Sequence, residues 1–143
     1  MATLYLDTSA LVKLYVEEEG RETVFEAIEG AERVATSTVA YAEARAAFAR
    51  KVRLGDLQER GRRQAVSDLD GEWRGFVRIS VSNLVAYRAG EMAERYDLRG
   101  FDAIHLASAA RLGKRFSGVR FLAFDARLME AAREALVQVY GGE

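Results

Sequence analysis

Four acidic residues stand at positions from which their carboxylates could bind a metal ion together. Asp7, Asp102 and Asp125 each follow a short apolar run, whereas Glu43 lies inside an apolar stripe with helical spacing. After each Asp, apolar residues recur every three or four positions, so at least two of these junctions are predicted to be strand-to-helix turns. In open α/β sheets such turns lie at the carboxyl ends of the strands, where ligand sites form. We therefore expect these distant acids to meet at one edge of a sheet.

Each acid also has a simpler explanation. Asp is a favoured residue at the start of a helix, and Glu43 could pair with Arg50 or lie on a half-buried helix face. The combination favours a common site, because carboxylates gathered at one edge repel one another unless a cation lies between them. Hard divalent ions such as Mg²⁺ and Mn²⁺ bind a few carboxylates and complete their coordination with water and substrate oxygens. Such a site suits the hydrolysis of phosphodiester bonds, since it activates water and neutralises phosphate oxygens.

Polar residues close to the acids in the sequence are candidates for supporting them. Thr8 and Ser9 directly follow Asp7, and either hydroxyl could cap the first helix or contact a metal-bound water or a phosphate. His105, the single histidine, lies one helical turn after Asp102. We interpret it as a packed or hydrogen-bonded helix residue, with support of Asp102 as the alternative.

Composition narrows the kinds of site that the chain can form. A length of 143 residues fits one domain, residues 1–143. Cysteine is absent, so a disulfide framework and a thiolate zinc site are excluded, and any metal must be bound by oxygen. The N-terminal residues lack the basic start and apolar core of a signal peptide, and no apolar run approaches the ~18 residues of a membrane span. We therefore predict a cytoplasmic protein without membrane contact.

The net charge of −1 does not by itself indicate a polyanionic partner. The stretch from 50 to 63 is nevertheless basic, and it is either a solvated helix surface or a face that contacts nucleic-acid phosphates. The candidate contacts are Arg50, Lys51, Arg53 and Arg62.

Alternating strands and helices are predicted along the chain. The strands are expected near 2–6, 34–37, 76–81, 119–124 and 136–140. Helices fill the intervals, with two helices in 38–73 broken near Gly55 and two in 83–113 broken near Gly100. This order is typical of an α/β fold in which a mainly parallel sheet is covered by helices on both faces.

Four segments, in order along nearly the whole chain, resemble the motifs of PIN domains, and specifically of the VapC-type toxin ribonucleases of bacterial and archaeal toxin–antitoxin pairs. They are 6–14 (LDTSALVKL), 37–43 (STVAYAE), 98–109 (LRGFDAIHLASA) and 121–128 (FLAFDARL). Short motifs around one Asp are weak individually, but four in the right order make the resemblance specific.

The resemblance implies a single PIN-like domain with a parallel sheet of about five strands between helices. It also implies an endoribonuclease that depends on Mg²⁺ or Mn²⁺, with Asp7, Glu43, Asp102 and Asp125 as both catalytic residues and metal ligands. A homodimer is implied, together with a cognate antitoxin whose tail blocks the cleft with a basic side chain. The sequence departs from the family at Ala123, where relatives often carry Thr or Ser, so a hydroxyl that would support Asp125 is missing.

Other functions remain to be weighed against this one. A receiver domain or a haloacid-dehalogenase-like domain would also place an Asp after its first strand. The dehalogenase pattern requires a second Asp two residues later, where this chain has Ser9, and a receiver domain requires a further acid before the turn, where this chain has Leu6. No glycine-rich phosphate loop is present. A PIN-like nuclease of RNA processing outside a toxin–antitoxin pair, and an inert module that binds RNA or protein, are the alternatives. Loss of acids would mark the inert module, and all four acids are present.

Overall fold

A computed structural model describes residues 2–142. Within this range the chain alternates between four strands and seven helices. In chain order they are β1 (Thr3–Leu6), α1 (Thr8–Val12), α2 (Arg21–Glu29), β2 (Arg33–Ser37), α3 (Val39–Arg53), α4 (Glu59–Trp73), β3 (Val77–Ile79), α5 (Asn83–Tyr96), α6 (Gly100–Arg115), β4 (Val119–Leu122) and α7 (Ala126–Glu134). The predicted α/β class is confirmed.

The strands form one parallel sheet in the order β3-β2-β1-β4. Strand order reverses at β1, because β2 and β3 extend the sheet to one side of it and β4 pairs on the other side. In open α/β sheets, ligands bind beyond the carboxyl ends of the strands at such a switch point. The sequence-derived fifth strand at 136–140 is reduced to one parallel bridge between Phe121 and Val139. Leu136 begins this segment with a positive φ of 62°, which interrupts extended backbone.

Side chains of β1 alternate between two apolar layers, as the two-residue period of a strand requires. Leu4 and Leu6 pack with residues of α1, α2, α3 and α4. Tyr5 faces the opposite way and packs with Phe121 and with apolar residues of α6 and α7. Since all four β1 residues are buried, the strand that leads to Asp7 is fixed from both faces of the sheet.

Breaks in the two long helical intervals fall where glycine predicted them. α3 ends before Gly55, which takes a positive φ of 82° that residues with a side chain rarely adopt. α5 ends at Asp97 in the left-handed region, and Gly100 then opens α6. β3 is shorter than the predicted strand at 76–81 and covers three residues. Among the helices of residues 2–142, none combines the length and apolarity that a membrane span needs.

Candidate active site

Asp7 is the first residue after the central strand and the N-cap of α1. Its backbone N–H donates to the carbonyl of Leu122 at 3.2 Å, which ties the ends of β1 and β4 together. Its Oδ1 accepts from the Ser9 hydroxyl at 2.7 Å and from the Ala10 N–H at 3.0 Å. The residue is 4% exposed, and burial raises the pKa of its carboxyl despite these donors and the nearby His105. Asp7 is therefore a held, desolvated carboxylate that a cation would stabilise.

Glu43 lies in the second turn of α3, with its side chain directed to α1 and α6 instead of to Arg50. Its Oε1 accepts from the Thr8 hydroxyl at 2.5 Å and lies 3.0 Å from Nε2 of His105. Burial alone would raise the pKa of Glu43, but the hydrogen bonds from His105 and Thr8 hold it below its ordinary value. Glu43 is thus ionised and oriented by two donors from other elements.

His105 lies inside the protein and not on a solvent-facing side of α6, with 1% of its surface exposed. Its Nδ1 is 2.8 Å from the Tyr5 hydroxyl, and its Nε2 is 3.0 Å from both Thr8 Oγ1 and Glu43 Oε1. The favoured interpretation of a packed, hydrogen-bonded histidine fits this geometry, while its bonds go to Glu43 and not to Asp102. This pairing could not be predicted from the spacing of residues, because Tyr5 and Glu43 lie 100 and 62 positions away from His105.

Asp102 sits in the first turn of α6 and follows another helix instead of a strand. No group in residues 2–142 hydrogen-bonds its carboxylate, and it is only partly exposed. Burial raises its pKa, and the charge of Asp125 adds to that effect, with a smaller contribution from Glu43, while Arg99 opposes it. Asp102 also contributes to the raised pKa of Asp7. Electrostatically, Asp102 is the member of the group that couples to all the others.

Asp125 is the third residue after β4 and caps α7, since its Oδ1 accepts from the Leu128 N–H at 3.0 Å. It is exposed and lines a cavity of about 210 Å³ that Asp102 also lines. The polar wall of this cavity also includes Asp97, Arg99 and Arg127, and the Arg127 guanidinium donates to Asp97 at 2.9 Å. The cavity therefore combines three acids with two arginines, one of which is already paired with Asp97.

Ser9 reaches the segment in which the family hydroxyl is missing at Ala123. The Ser9 hydroxyl accepts from the backbone N–H of Phe124 at 3.2 Å while it donates to Asp7. A single hydroxyl thus joins the two strand ends that carry Asp7 and Asp125. Thr8 and Ser9 contact different acids, Glu43 and Asp7, and their roles in catalysis stay predictions.

The four acids are carried by separate elements, and Asp102 couples electrostatically with Asp7, Glu43 and Asp125. Within residues 2–142, no three side chains of the His, Asp and Glu type approach closely enough to enclose an ion by themselves. Their chemistry still fits Mg²⁺ or Mn²⁺, which prefer oxygen ligands and are commonly bound by one or two carboxylates with water and substrate phosphate. Burial and, after it, the charge of Asp125 raise the pKa of Asp102, and a bound cation would offset both effects.

The basic stretch divides into members near the site and members away from it. Lys51 donates to Glu18 at 2.5 Å, and Glu18 also accepts from Lys13 at 2.8 Å. The Lys13 ammonium lies 4.6 Å from the ring centroid of Phe124, the residue before Asp125, so this cluster borders the acids. Glu18 was not predicted as part of this cluster, because no motif distinguishes it from its acidic neighbours.

Arg50 and Arg53 occupy the last turn of α3. At 1.5 Å per residue they lie about 10 Å and 15 Å beyond Glu43 along the helix axis. Arg62 pairs with Glu59 on the exposed surface of α4. These three arginines are not part of the acid cluster, and any contact they make would be to nucleic acid that extends beyond it.

Comparison with known proteins agrees with this architecture. The family model of the PIN domain matches residues 4–134. Ribonuclease VapC45 of Mycobacterium tuberculosis (strain CDC 1551 / Oshkosh) is 35% identical over 135 residues, which are 94% of this chain and 92% of the relative.

Solved structures show the same fold. The crystal structure of FitAcB from Neisseria gonorrhoeae aligns with a TM-score of 0.68 at 17% identity, covering 96% of each chain. A toxin–antitoxin complex from Klebsiella pneumoniae aligns with a TM-score of 0.55 at 24% identity, covering 85% of this chain and 86% of the other. With a family match over most of its length and a close relative of matching extent, this chain belongs to the PIN-domain family, in the group of the VapC ribonucleases.

Proposed function

We propose that this protein is a metal-dependent endoribonuclease that acts as the toxin of a toxin–antitoxin pair. The observation that supports the proposal is the electrostatic coupling of Asp102 with Asp7, Glu43 and Asp125, acids of four separate elements. Of these, Asp7 directly follows β1, the strand at which the sheet order reverses. The ribonuclease name of a relative of the same extent supports RNA as the substrate class.

Mg²⁺ or Mn²⁺ would be held by these four carboxylates. When bound, the ion lowers the pKa of a coordinated water and neutralises the non-bridging oxygens of a phosphodiester. Asp102 supports this assignment, since burial and the charge of Asp125 raise its pKa and no described group hydrogen-bonds it. A carboxylate in that condition gains more from a cation than an exposed one does.

The chain's own residues orient these acids and receive the substrate. Ser9 and the N–H of Ala10 hold Asp7, while Thr8 and His105 hold Glu43. An RNA phosphate that approaches the acids would be repelled without compensating positive charge. Arg99 supplies such charge in the cavity beside Asp102 and Asp125, where Arg127 is paired with Asp97. Lys13 and Lys51 share the single carboxylate of Glu18, so that cluster keeps one net positive charge near Phe124.

The proposed partners are an antitoxin and a second copy of the chain. Chains with this fold have been solved in a complex described as toxin–antitoxin, which supports the first partner. An antitoxin that places a basic side chain among the acids would compete with both metal and RNA. Its positive charge would offset the burial and the charge of Asp125 that raise the pKa of Asp102.

The proposed activity is tested with a mixed pool of structured and single-stranded RNAs, incubated with Mg²⁺ or Mn²⁺ and, separately, with EDTA. Wild type is compared with Asp7→Asn, Asp102→Asn and a control, Glu130→Gln, which removes an exposed acid of α7 away from the cluster. We expect metal-dependent cleavage by wild type and by the control, and none by the two Asn variants. Cleavage that persists in EDTA, or in either Asn variant, would reject the metal-site assignment.

The toxin role needs a separate measurement in cells. Induced expression should arrest growth, and co-expression of the product of an adjacent reading frame should relieve the arrest. Full RNA cleavage in vitro without any growth arrest would instead favour a nuclease of RNA processing.

A further inference from the structure

We propose that His105 is a positioning residue, which Tyr5 holds with its proton on Nε2 so that it fixes Oε1 of Glu43 and leaves Oε2 without a hydrogen bond within residues 2–142. The effect on catalysis rests on the proposed function, whereas the hydrogen-bond chain from Tyr5 to Glu43 stands independently of it. His105 touches neither metal nor RNA in this proposal, and it acts through Glu43.

The hydroxyl of Tyr5 determines the tautomer of His105. Tyr5 is fully buried, and its ring stacks on Phe121 with centroids 5.6 Å apart, so the hydroxyl has one fixed location. A buried hydroxyl needs an acceptor for its proton, and Nδ1 of His105 lies 2.8 Å away. With Nδ1 accepting, the ring proton must reside on Nε2, since the partner of one ring nitrogen determines the state of the other.

The proton on Nε2 then makes His105 a hydrogen-bond donor to Glu43. Nε2 of His105 lies 3.0 Å from both Oε1 of Glu43 and Oγ1 of Thr8, so its N–H can be shared between these two oxygens, and the Thr8 hydroxyl donates to the same Oε1 at 2.5 Å. Two donors on one oxygen fix the rotation of the carboxylate, and no group in residues 2–142 bonds to Oε2. The carboxylate is thereby divided into a structural oxygen and an available one.

His105 lies on α6, one turn beyond Asp102. Glu43 belongs to α3, so the bond from His105 joins the helix that carries one acid to the helix that carries another. The anchor of this bond is the central strand, through Tyr5. Loss of the chain would let Glu43 rotate without removing any acid from the site.

A purely structural role for His105 would also explain its burial, and two substitutions separate the roles. His105→Gln keeps an N–H donor at the distance of Nε2, whereas His105→Asn keeps a polar atom only near Nδ1 and cannot reach Glu43. Tyr5→Phe keeps the stacked ring and removes only the hydroxyl. All three variants lose some packing, so their melting temperatures measure that component separately.

Nuclear magnetic resonance tests the tautomer directly, because ¹⁵N-labelling of histidine marks one imidazole in a chain with a single His. In wild type we expect the proton on Nε2, with Nδ1 unprotonated, and in Tyr5→Phe a mixture of tautomers. Any other protonation pattern in wild type, or no change in Tyr5→Phe, overturns the proposal. This measurement gives its answer even for a protein that cleaves no RNA.

Kinetics test the consequence for catalysis. Loss of groups that orient a metal ligand typically costs 10-fold to 100-fold in activity or metal affinity, so we expect kcat of His105→Asn and Tyr5→Phe to fall by about 10-fold or more. KM for RNA should change little, since no contact to RNA is removed. His105→Gln should recover most of kcat, at a melting temperature similar to that of His105→Asn.

Equal kcat in the Gln and Asn variants, or losses that follow melting temperature alone, would overturn the positioning role. If wild type cleaves no RNA under any condition, the proposed function fails, and the tautomer measurement alone then decides the hydrogen-bond chain. The two failures are therefore distinguishable.

Discussion

Replacing Asp7 by Asn and by Ala separates the charge of this residue from its capping role at the start of α1. Both substitutions remove a negative charge that is 4% exposed. Asn keeps an oxygen that can accept from the Ser9 hydroxyl and the Ala10 N–H, whereas Ala keeps neither bond. We expect both variants to be inactive, so activity and stability report different properties of one side chain.

The expected difference in stability follows from the cap. Loss of an N-cap oxygen costs about 1 kcal/mol. For a domain near 150 residues, 1 kcal/mol shifts the melting temperature by about 2–4 °C, so Asp7→Ala should melt about that far below Asp7→Asn. Asp7→Asn itself should melt at or above wild type near neutral pH, because it removes a buried charge.

The pH dependence gives the sign of the charge effect. Burial raises the pKa of Asp7 above its ordinary value of 3.8, so the folded protein binds this proton more tightly than the unfolded chain does. The contribution of Asp7 to stability is therefore greatest at low pH and falls as pH rises from the ordinary value through the raised one. Wild type should lose stability relative to Asp7→Asn over that interval.

Glu43 should behave in the opposite way, since His105 and Thr8 outweigh burial and lower its pKa. Its contribution is present above the ordinary value and is lost as pH falls through the lowered one. Glu43→Gln should therefore lose stability relative to wild type near neutral pH and approach it in acid.

The assay is thermal unfolding followed by circular dichroism at pH 3.5 to 8, with EDTA present to exclude divalent ions. Glu130→Gln serves as the surface control and should follow wild type throughout. A melting temperature for Asp7→Asn below that of wild type at pH 7, together with equal values for the Asn and Ala variants, would refute this reasoning. It would mean that the Asp7 charge is compensated in the folded protein without a cation.

Three further outcomes test other parts of the structure. Mn²⁺ or Mg²⁺ at about 100 times its Kd should stabilise wild type by about 2.7 kcal/mol, since the ion binds the native acids and not the unfolded chain. The melting temperature of Asp102→Asn should not change on addition of the ion. An equal gain in both proteins would mean that the ion binds elsewhere. Joint charge reversal of Arg50 and Arg53 should weaken RNA binding and reduce its dependence on salt, measured by filter binding from 50 to 200 mM salt. An unchanged slope of log affinity against log salt concentration would exclude that surface from RNA binding. Gly20→Ala should cost about 1–3 kcal/mol in urea unfolding, because Gly20 has a φ of 93° and a Cβ there would lie 2.7 Å from Phe124 Cε1; a loss below about 0.5 kcal/mol would contradict that contact.

The fold was predictable where local pattern and tertiary structure agree. Alternating strands and helices, and the helix breaks near Gly55 and Gly100, follow from apolar periodicity and from the backbone freedom of glycine. The segment at 136–140 has a strand-like composition but forms one bridge at Val139. The pattern of apolar residues indicates which positions are buried, and Val139 is buried. It does not indicate how many residues of the segment pair with a neighbouring strand, so a single bridge and a full strand have the same pattern.

The site was predictable as a set of acids and not as a network. Asp7 and Asp125 do follow strands, and Asp102 was identified although its apolar run proved to be the junction of two helices. The support of Glu43 by His105 and Tyr5 depends on contacts between distant positions, which composition and spacing do not encode. The ion pair of Arg62 with Glu59 could have been predicted from the sequence, since the two residues lie three positions apart on one helix.

Central placement of β1 has a consequence for how the protein is made. β1 gains one neighbour early, from β2, but its other neighbour β4 pairs Thr3 with Val119, near the opposite end of the chain. Closing so long a loop is entropically costly before the contacts form, which makes folding through this pairing slow. On the ribosome, a chain that has not yet released β4 has an unpaired β1 edge and lacks Asp125. Until β4 and the residue Asp125 have emerged, the chain therefore has neither a complete sheet nor the full set of four acids.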